Sequence, residues 1–124
     1  MLETLIIELP PVNMELSPNR KNGKHWSSTQ NHKEADRDIG FFHAKNAANG
    51  KKLDEYAKYA ISIIFYRSNY RRVDLDNLLS ASKHRIDGIA KALGIDDRQF
   101  KPITIDCQYR KEDGMVVEIK RVIK

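Results

Sequence analysis

The pattern of apolar and polar residues divides the N-terminal part of the chain into a strand and a loop. Apolar and β-branched residues from Leu2 to Leu9 favour a β-strand, which ends because Pro10 and Pro11 have no N–H to donate to a β-ladder. From Pro11 to Trp26 there is no apolar period, and Asn, Pro, Gly and Lys are frequent. This composition predicts a long loop, and loops of this length are usually functional or mobile.

The middle of the chain predicts one helix and one strand. A capping box at Ser27 to Gln30, followed by helically spaced apolar residues up to Gly50, predicts a helix from about Ser28 to Asn49. Between Lys58 and Arg67 both sets of alternate residues are mostly apolar: Tyr59, Ile61, Ile63 and Phe65 in one set, and Ala60, Ser62, Ile64 and Tyr66 in the other. This run predicts a second strand that is buried on both faces.

The C-terminal half predicts a second helix and two further strands. The pattern is helical from Asn77 to Leu93, and Gly94 follows where a helix usually ends. Alternate apolar residues from Ile103 to Tyr109 predict a third strand. A turn at residues 111–114 and a fourth strand that begins at Met115 complete a predicted hairpin.

These elements follow the order β-α-β-α-β-β, which predicts an α+β fold with a mixed sheet and two main helices packed on it. The 124 residues, 40% of them hydrophobic, suffice for one domain, so residues 1–124 are expected to form a single unit. The apolar runs are far shorter than the ~20 residues that span a bilayer, and no signal peptide is recognisable. We therefore expect a cytoplasmic protein without membrane contact. A single cysteine, Cys107, excludes an internal disulfide and a cysteine zinc site.

The charge balance favours an anionic partner. Lys and Arg number 22 against 17 Asp and Glu, which gives a formal net charge of +5. Basic residues cluster with aromatic ones at two places, the loop before Trp26 and the stretch that contains Tyr66 and Tyr70. Such mixtures suit phosphate contact combined with stacking on bases. The expected DNA-binding residues are Arg20, Lys21, Lys24, Arg67, Arg71 and Arg72.

Carboxylates are concentrated around the start of the second predicted helix. If the chain is extended there, Asp74 and Asp76 point the same way and are able to share one cation. Hard oxygen ligands of this kind suit Mg²⁺ or Mn²⁺. On a helical wheel at about 100° per residue, Lys83 and Asp87 fall within about 20° of Asp76, on the side opposite the apolar face.

The loop after this helix supplies a further candidate, Asp97, with Asp96 as the alternative. Three carboxylates and a lysine are the groups needed for metal-assisted phosphodiester hydrolysis, because the carboxylates hold the cation and Lys83 stabilises developing negative charge. The same residues also fit purely structural roles. In that interpretation Asp74 caps the helix, Lys83 pairs with Asp87, and Asp96-Asp97 forms a turn.

Four short segments together form a recognisable pattern. Asp74 to Leu78 read Asp-x-Asp-Asn-Leu, Lys83 to Ile89 read Lys-x-x-x-Asp-x-Ile, Asp96 to Phe100 read Asp-Asp-x-Gln-Phe, and Pro10 to Asn13 read Pro-Pro-x-Asn. In these motifs the chain resembles the RusA family of Holliday junction resolvases, which are endonucleases carried by phages and prophages. The order of the motifs extends over the whole chain, and the specific part runs from Arg71 to Phe100.

The resemblance implies a RusA-like fold and a structure-selective endodeoxyribonuclease that resolves four-way junctions in DNA recombination and repair. It implies Mg²⁺ as the cofactor, with Mn²⁺ as the alternative ion. Asp74, Asp76 and Asp97 would be the metal-binding catalytic carboxylates, and Lys83 would assist them. The family lysine usually lies where this chain has Ser80, and Lys83 follows on the same helix face. Because a four-way junction has two-fold symmetry, the family also implies a homodimer.

Two other interpretations remain open. A nuclease site at the predicted C-terminal hairpin would use Asp106, Glu118 and Lys120, which imitate the Asp...Glu-x-Lys pattern of restriction-type nucleases. Glu118 and Lys120 also fit a solvated strand face. A non-catalytic nucleic-acid-binding module would use the basic clusters alone. No Walker A or dinucleotide glycine motif is present, so no nucleotide cofactor is expected.

Overall fold

Four strands and two long helices build the fold in the predicted order. The computed structural model of the chain describes residues 4–17, 26–69 and 73–122, and the side chains of residues 26–29 lie outside this description. The elements are β1 (Thr4–Leu9), α1 (Trp26–Ala47), β2 (Tyr59–Arg67), α2 (Leu75–Ala92), β3 (Phe100–Tyr109) and β4 (Gly114–Arg121). Short 3₁₀ helices at Met14–Leu16 and Asp97–Gln99 precede α1 and β3. The predicted α+β fold with a mixed sheet and two main helices is therefore confirmed.

Strands β4 and β2 occupy the centre of the sheet, which has the order β1-β4-β2-β3. β4 pairs antiparallel with both β1 and β2, whereas β2 and β3 are parallel. The predicted hairpin between the third and fourth strands is therefore wrong, because β2 lies between them. A turn signal at residues 111–114 marks only a change of direction. The crossover through α2 places β3 parallel to β2 and leaves the other edge of β2 for β4.

Strand β2 is buried on one face only. Tyr59, Ile61, Ile63 and Phe65 are each 1% exposed, while the residues that alternate with them are half-buried. The prediction that this strand is buried on both faces is wrong, because the helices pack on one side of the sheet and side chains alternate across a strand. On the other side, which we call the uncovered sheet face, Ile6 is 57% exposed.

The two helices cross at a pair of glycines. A Cβ added at Gly40 would lie 2.0 Å from the carbonyl oxygen of Arg85, and one added at Gly88 would lie 2.0 Å from the carbonyl oxygen of Arg37. Non-bonded heavy atoms do not approach so closely, so only glycine allows this backbone contact. Neither helix, over the residues described, has the length and apolar content needed to cross a membrane.

Replacing Gly88 by alanine is expected to destabilise the protein by roughly 1–3 kcal/mol or more, because the added methyl group has no space. Helix propensity acts in the opposite direction, since alanine is favoured over glycine by about 1 kcal/mol in a helix. Urea denaturation measures the net effect. Asn46→Ala, at an exposed position of α1, is the control and should leave stability unchanged or slightly higher. A Gly88→Ala protein as stable as its parent would contradict the close crossing.

An arginine is buried beside this crossing. Arg85 is 1% exposed, and its guanidinium donates to Asp36 of α1, from Nη2 over 2.7 Å and from Nε over 3.1 Å. It also donates to the carbonyl oxygens of Pro10 and Pro11, just after β1. Arg85 thus fixes the start of the loop after β1 to both helices.

Candidate active site along the second helix

Asp74 and Asp76 lie exposed at the start of α2. Asp74 occupies the N-cap position, and its carbonyl oxygen accepts backbone hydrogen bonds from Asn77 and Leu78. Its side chain makes no capping hydrogen bond, so its carboxylate does not perform the structural role considered above. Asp76 lies in the first turn, where the positive end of the helix dipole favours an anion. Both carboxylates are therefore accessible to a ligand.

The two adjacent carboxylates after α2 have different roles. The Asp96 side chain accepts a hydrogen bond from the backbone N–H of Arg98 over 2.9 Å, and Gln99 completes a capping box. The Arg98 guanidinium also pairs with Asp96 at 3.2 Å. These hydrogen bonds from Arg98 lower the pKa of Asp96 to about 2. Asp96 thus performs turn chemistry, and the geometry favours Asp97 as the carboxylate that binds a ligand.

Asp97 borders a cavity between α2 and the start of β3, which we call the α2–β3 cavity. Its volume is about 480 Å³. Its walls are formed by Leu79, Ser80, Lys83, His84, Ile86, Asp87, Asp97, Phe100 and Ile103. A hydrogen bond with Asp96, burial and the nearby Asp87 raise the pKa of Asp97 above its ordinary value of 3.8. Carboxylates crowded beside a lysine in one cavity are typical of functional sites.

Carboxyl-carbon NMR titration is expected to separate the two adjacent aspartates, with Asp96 titrating at about 2 and Asp97 above 3.8. Because the folded pKa of Asp96 is below its ordinary value, its ionised form stabilises the fold above pH 3.8, and this contribution is lost as the pH falls towards 2. Arg98→Gln should raise the pKa of Asp96, since it removes the charged donor. The reverse order of the two titrations would contradict the capping geometry.

Within one chain, the structure separates the carboxylates at the start of α2 from Asp97. Asp87 follows Asp76 by eleven residues, which is about 16 Å along the helix axis. Asp97 lies close to Asp87 and therefore far from Asp74 and Asp76. Within residues 4–17, 26–69 and 73–122, no group of three or more Asp, Glu, His or Cys is placed to hold one metal ion. The three predicted catalytic carboxylates do not meet in a single chain.

Lys83 lies on the wall of the α2–β3 cavity, one turn before Asp87. It is exposed, and no ion pair joins it to Asp87 in the part of the chain that the structure describes. The structural alternative, in which Lys83 serves only to pair with Asp87, is therefore not supported, because the two described side chains do not form this ion pair. Ser80, one turn before Lys83, lines the same cavity. Lys83 is accordingly accessible to an anion.

Asp87 lines the α2–β3 cavity, but the sequence alone predicts only a structural role for it, as a partner of Lys83. The helical wheel contained a signal for it, because it falls about 20° from Asp76. A wheel shows the direction of a side chain and not its distance along the axis. The proximity of Asp87 to Asp97 depends on the path of the chain after Gly94, whose φ of 73° turns it back.

Of the six predicted DNA-binding residues, Arg67 alone lies in the described part of the chain. It is half-buried at the end of β2, and its Nε atom is buried without a hydrogen-bond partner among the described residues. The other five lie outside the described residues: Arg20, Lys21, Lys24, Arg71 and Arg72.

The alternative nuclease residues lie on the uncovered sheet face. Asp106 is on β3 and Glu118 is on β4, with β2 between them, so about 10 Å separates their backbones. Asp106 accepts hydrogen bonds from the backbone N–H of Cys107 and the side chain of Gln108. Glu118 and Lys120 are exposed at alternate positions of β4, which fits a solvated strand face. The three residues do not form a compact site.

The donor groups along α2 suit a hard divalent cation. Asp74, Asp76, Asp87 and Asp97 offer carboxylate oxygens, which Mg²⁺ and Mn²⁺ prefer. The Asp74 carboxylate is not used in capping, and the crowding around Asp97 is of the kind that a cation relieves. The residue types therefore fit such an ion, although one chain does not bring enough of them together.

A bacterial protein is similar to this chain over most of its length. It comes from Xylella fastidiosa strain Temecula1, is described as an uncharacterized protein, and shares 35% identity over 95 residues. The aligned part is 76% of this chain, which spans 61% of the relative's length. No family model matches the chain. The comparison establishes a bacterial relative and assigns no activity.

Proposed function

We propose that the chain is a metal-dependent endonuclease that cuts branched DNA, in the manner of a Holliday junction resolvase. The observation that carries the proposal is the α2–β3 cavity, where Asp97, Asp87 and Lys83 come together. Carboxylates beside a lysine, in a chain with a net charge of +5, suit an anionic phosphodiester. The resemblance to RusA motifs involves the same helix and supports four-way junctions as the substrate, in recombination and repair.

The site residues have distinct roles in this proposal. Asp74, Asp76 and Asp97 would hold Mg²⁺ or Mn²⁺, which when bound polarises a phosphate and lowers the pKa of an attacking water. Lys83 places a positive charge next to the phosphate and stabilises the extra negative charge of the transition state. The positive end of the α2 dipole, near Asp76, also favours negative charge.

The separation of the carboxylates supports a homodimer. Asp74 and Asp76 begin α2, whereas Asp97 follows its end, so one chain does not offer all three to one ion. A two-fold axis that places the start of one α2 beside the end of the other would complete two equivalent sites. Two equivalent sites are what a pair of matched nicks in a four-way junction requires.

The proposal includes the DNA contacts and the location of the protein. The predicted basic residues would bind phosphates of the junction arms, and no nucleotide cofactor would take part. The protein would act in the cytoplasm as one endonuclease domain of residues 1–124. The basic set comprises Arg20, Lys21, Lys24, Arg67, Arg71 and Arg72.

A gel assay with a labelled four-way junction and a matching duplex tests the proposed function. The purified protein is expected to nick the junction with Mg²⁺, to be inactive in EDTA, and to leave the duplex intact. If the protein binds the four-way junction with high affinity but does not cleave it, with or without Mg²⁺, it is a non-catalytic nucleic-acid-binding module instead. A protein that neither binds nor cleaves the junction would refute the proposal.

Lys83→Met is expected to slow junction cleavage roughly ten-fold or more, because it removes a charge that stabilises the transition state. Stability should change little, since Lys83 is exposed and, among the described residues, makes no ion pair with Asp87. Junction affinity should also change little. Single-turnover cleavage rates provide the measurement, and Lys51→Met, exposed beyond α1, is the control. Wild-type turnover in Lys83→Met would exclude this lysine from the reaction.

A further inference from the structure

A second cavity, which we call the helix groove, lies between α1 and α2. Its volume is about 240 Å³. Its walls are formed by Arg37, Asp38, Phe41, Phe42, Gly88 and Lys91. Asp38 is the single acidic residue among these walls. Phe42 is 58% exposed, so a large aromatic ring of the groove faces solvent.

The helix groove combines an aromatic surface with positive charge. The Phe42 ring packs edge-on against Phe41, with ring centres 5.3 Å apart at 87°. Lys45 lies 5.8 Å from the centre of the Phe41 ring. Arg37 on α1 and Lys91 on α2 add charge to the two sides of the groove. Cations around an exposed ring are complementary to a ligand that is both anionic and aromatic.

The helix groove adjoins the α2–β3 cavity. The Arg37 guanidinium, which can only donate, bonds from Nη2 to Nδ1 of His84 over 3.3 Å, and His84 lines the α2–β3 cavity. Asp87 lines that cavity and its neighbour Gly88 lines the groove. The groove and the cavity therefore lie on neighbouring faces of α2. A short single strand is able to contact both.

We propose that the helix groove binds an unpaired nucleotide next to the cleaved bond, with its base stacked on Phe42 and its phosphate held by Arg37 and Lys91. Stacking on an aromatic ring combined with cationic backbone contacts is how proteins hold single strands. At a branch point base stacking is interrupted, so unpairing a nucleotide costs less there than inside an intact duplex. The inference rests on the proposed function only for the origin of the nucleotide, which is branched DNA. The affinity of the groove for a nucleotide does not depend on it.

Binding measured without cleavage tests the groove. Fluorescence anisotropy in EDTA compares a labelled oligothymidine of about eight nucleotides, a four-way junction and a duplex. Phe42→Ala should weaken oligothymidine and junction binding roughly five-fold or more and leave duplex binding unchanged. Lys91→Gln should weaken oligothymidine binding and reduce its salt dependence. Tyr56→Ala removes a ring that is 90% exposed outside the groove, and should bind like the wild type.

The outcomes separate the groove from the proposed function. Equal oligothymidine affinity of wild type and Phe42→Ala would overturn the inference, even if the protein cuts junctions. A loss of affinity in Phe42→Ala, together with no Mg²⁺-dependent cleavage of any junction, would support the groove and refute the nuclease. Phe42→Leu repeats the test with the apolar bulk retained. A polyglutamate peptide that displaces oligothymidine equally well from wild type and Phe42→Ala would refute base stacking.

Discussion

Asp76→Asn and Asp97→Asn are each expected to reduce Mg²⁺-dependent junction cleavage by roughly a hundred-fold or more, because each removes a charged oxygen ligand without changing side-chain size. Both side chains are exposed, so the free energy of unfolding should be preserved, as should junction affinity in EDTA. Asp106→Asn, on the uncovered sheet face, is the matched control and should retain full activity. Loss of cleavage in Asp106→Asn or Glu118→Gln, with Asp76→Asn active, would move the site to the sheet.

Combining the two inactive variants distinguishes a site within one chain from a site shared by two. In a shared arrangement, a heterodimer of Asp76→Asn and Asp97→Asn contains one complete site. Random association by co-expression should then restore about a quarter of the complete sites. In the other arrangement no mixture contains a complete site. Cleavage by the mixture, with none by either variant alone, would therefore establish that two protomers build each site.

Arg85→Met is expected to cost roughly 3–5 kcal/mol of unfolding free energy, because it leaves a charged group buried without its partner. Asp36 is 1% exposed, and its Oδ2 atom already lacks a hydrogen-bond partner among the described residues. The carbonyl oxygens of Pro10 and Pro11 lose their donors as well. Urea denaturation followed by circular dichroism measures the loss.

The double variant Arg85→Met with Asp36→Leu provides the control for this prediction. It removes both charges, so it should recover much of the stability that Arg85→Met alone loses. The gain measured on adding Asp36→Leu to Arg85→Met reports the cost of the unpaired carboxylate. If Arg85→Met were as stable as the wild type, the ion pair with Asp36 could not be buried as observed.

The elements of the fold could be predicted from local periodicity, whereas their pairing could not. Apolar residues recur at helical spacing over several turns between Asn77 and Leu93, so the pattern indicates α2 clearly. A turn at residues 111–114 is also local, but whether the strands on either side pair depends on β2, more than forty residues earlier. The same limit applies to burial, because the apolar run of β2 does not show which side the helices cover.

The candidate site divides along similar lines. The wheel correctly placed Lys83 and Asp87 on one side of α2, because angular position follows from residue spacing. The predicted length of the helix already implied a large distance between Asp76 and the residues after its end. It did not show that the loop after Gly94 brings Asp97 close to Asp87. The capping role of Asp96 depends on Arg98, a contact that requires coordinates. Arg85 had no signal, since a buried charge depends on partners from distant segments.

The central position of β4 has a consequence for the synthesis of the protein. Its residues pair with β1 on one side and β2 on the other. Leu9 of β1, for example, pairs with Met115, which is synthesised roughly a hundred residues later. Until β4 has emerged from the ribosome, both neighbouring strands present unpaired edges, which favours aggregation of incomplete chains. The α1–α2 pair, in contrast, is complete once residue 92 has emerged. We therefore expect the two helices to associate first and the sheet to close only after residue 121 has emerged.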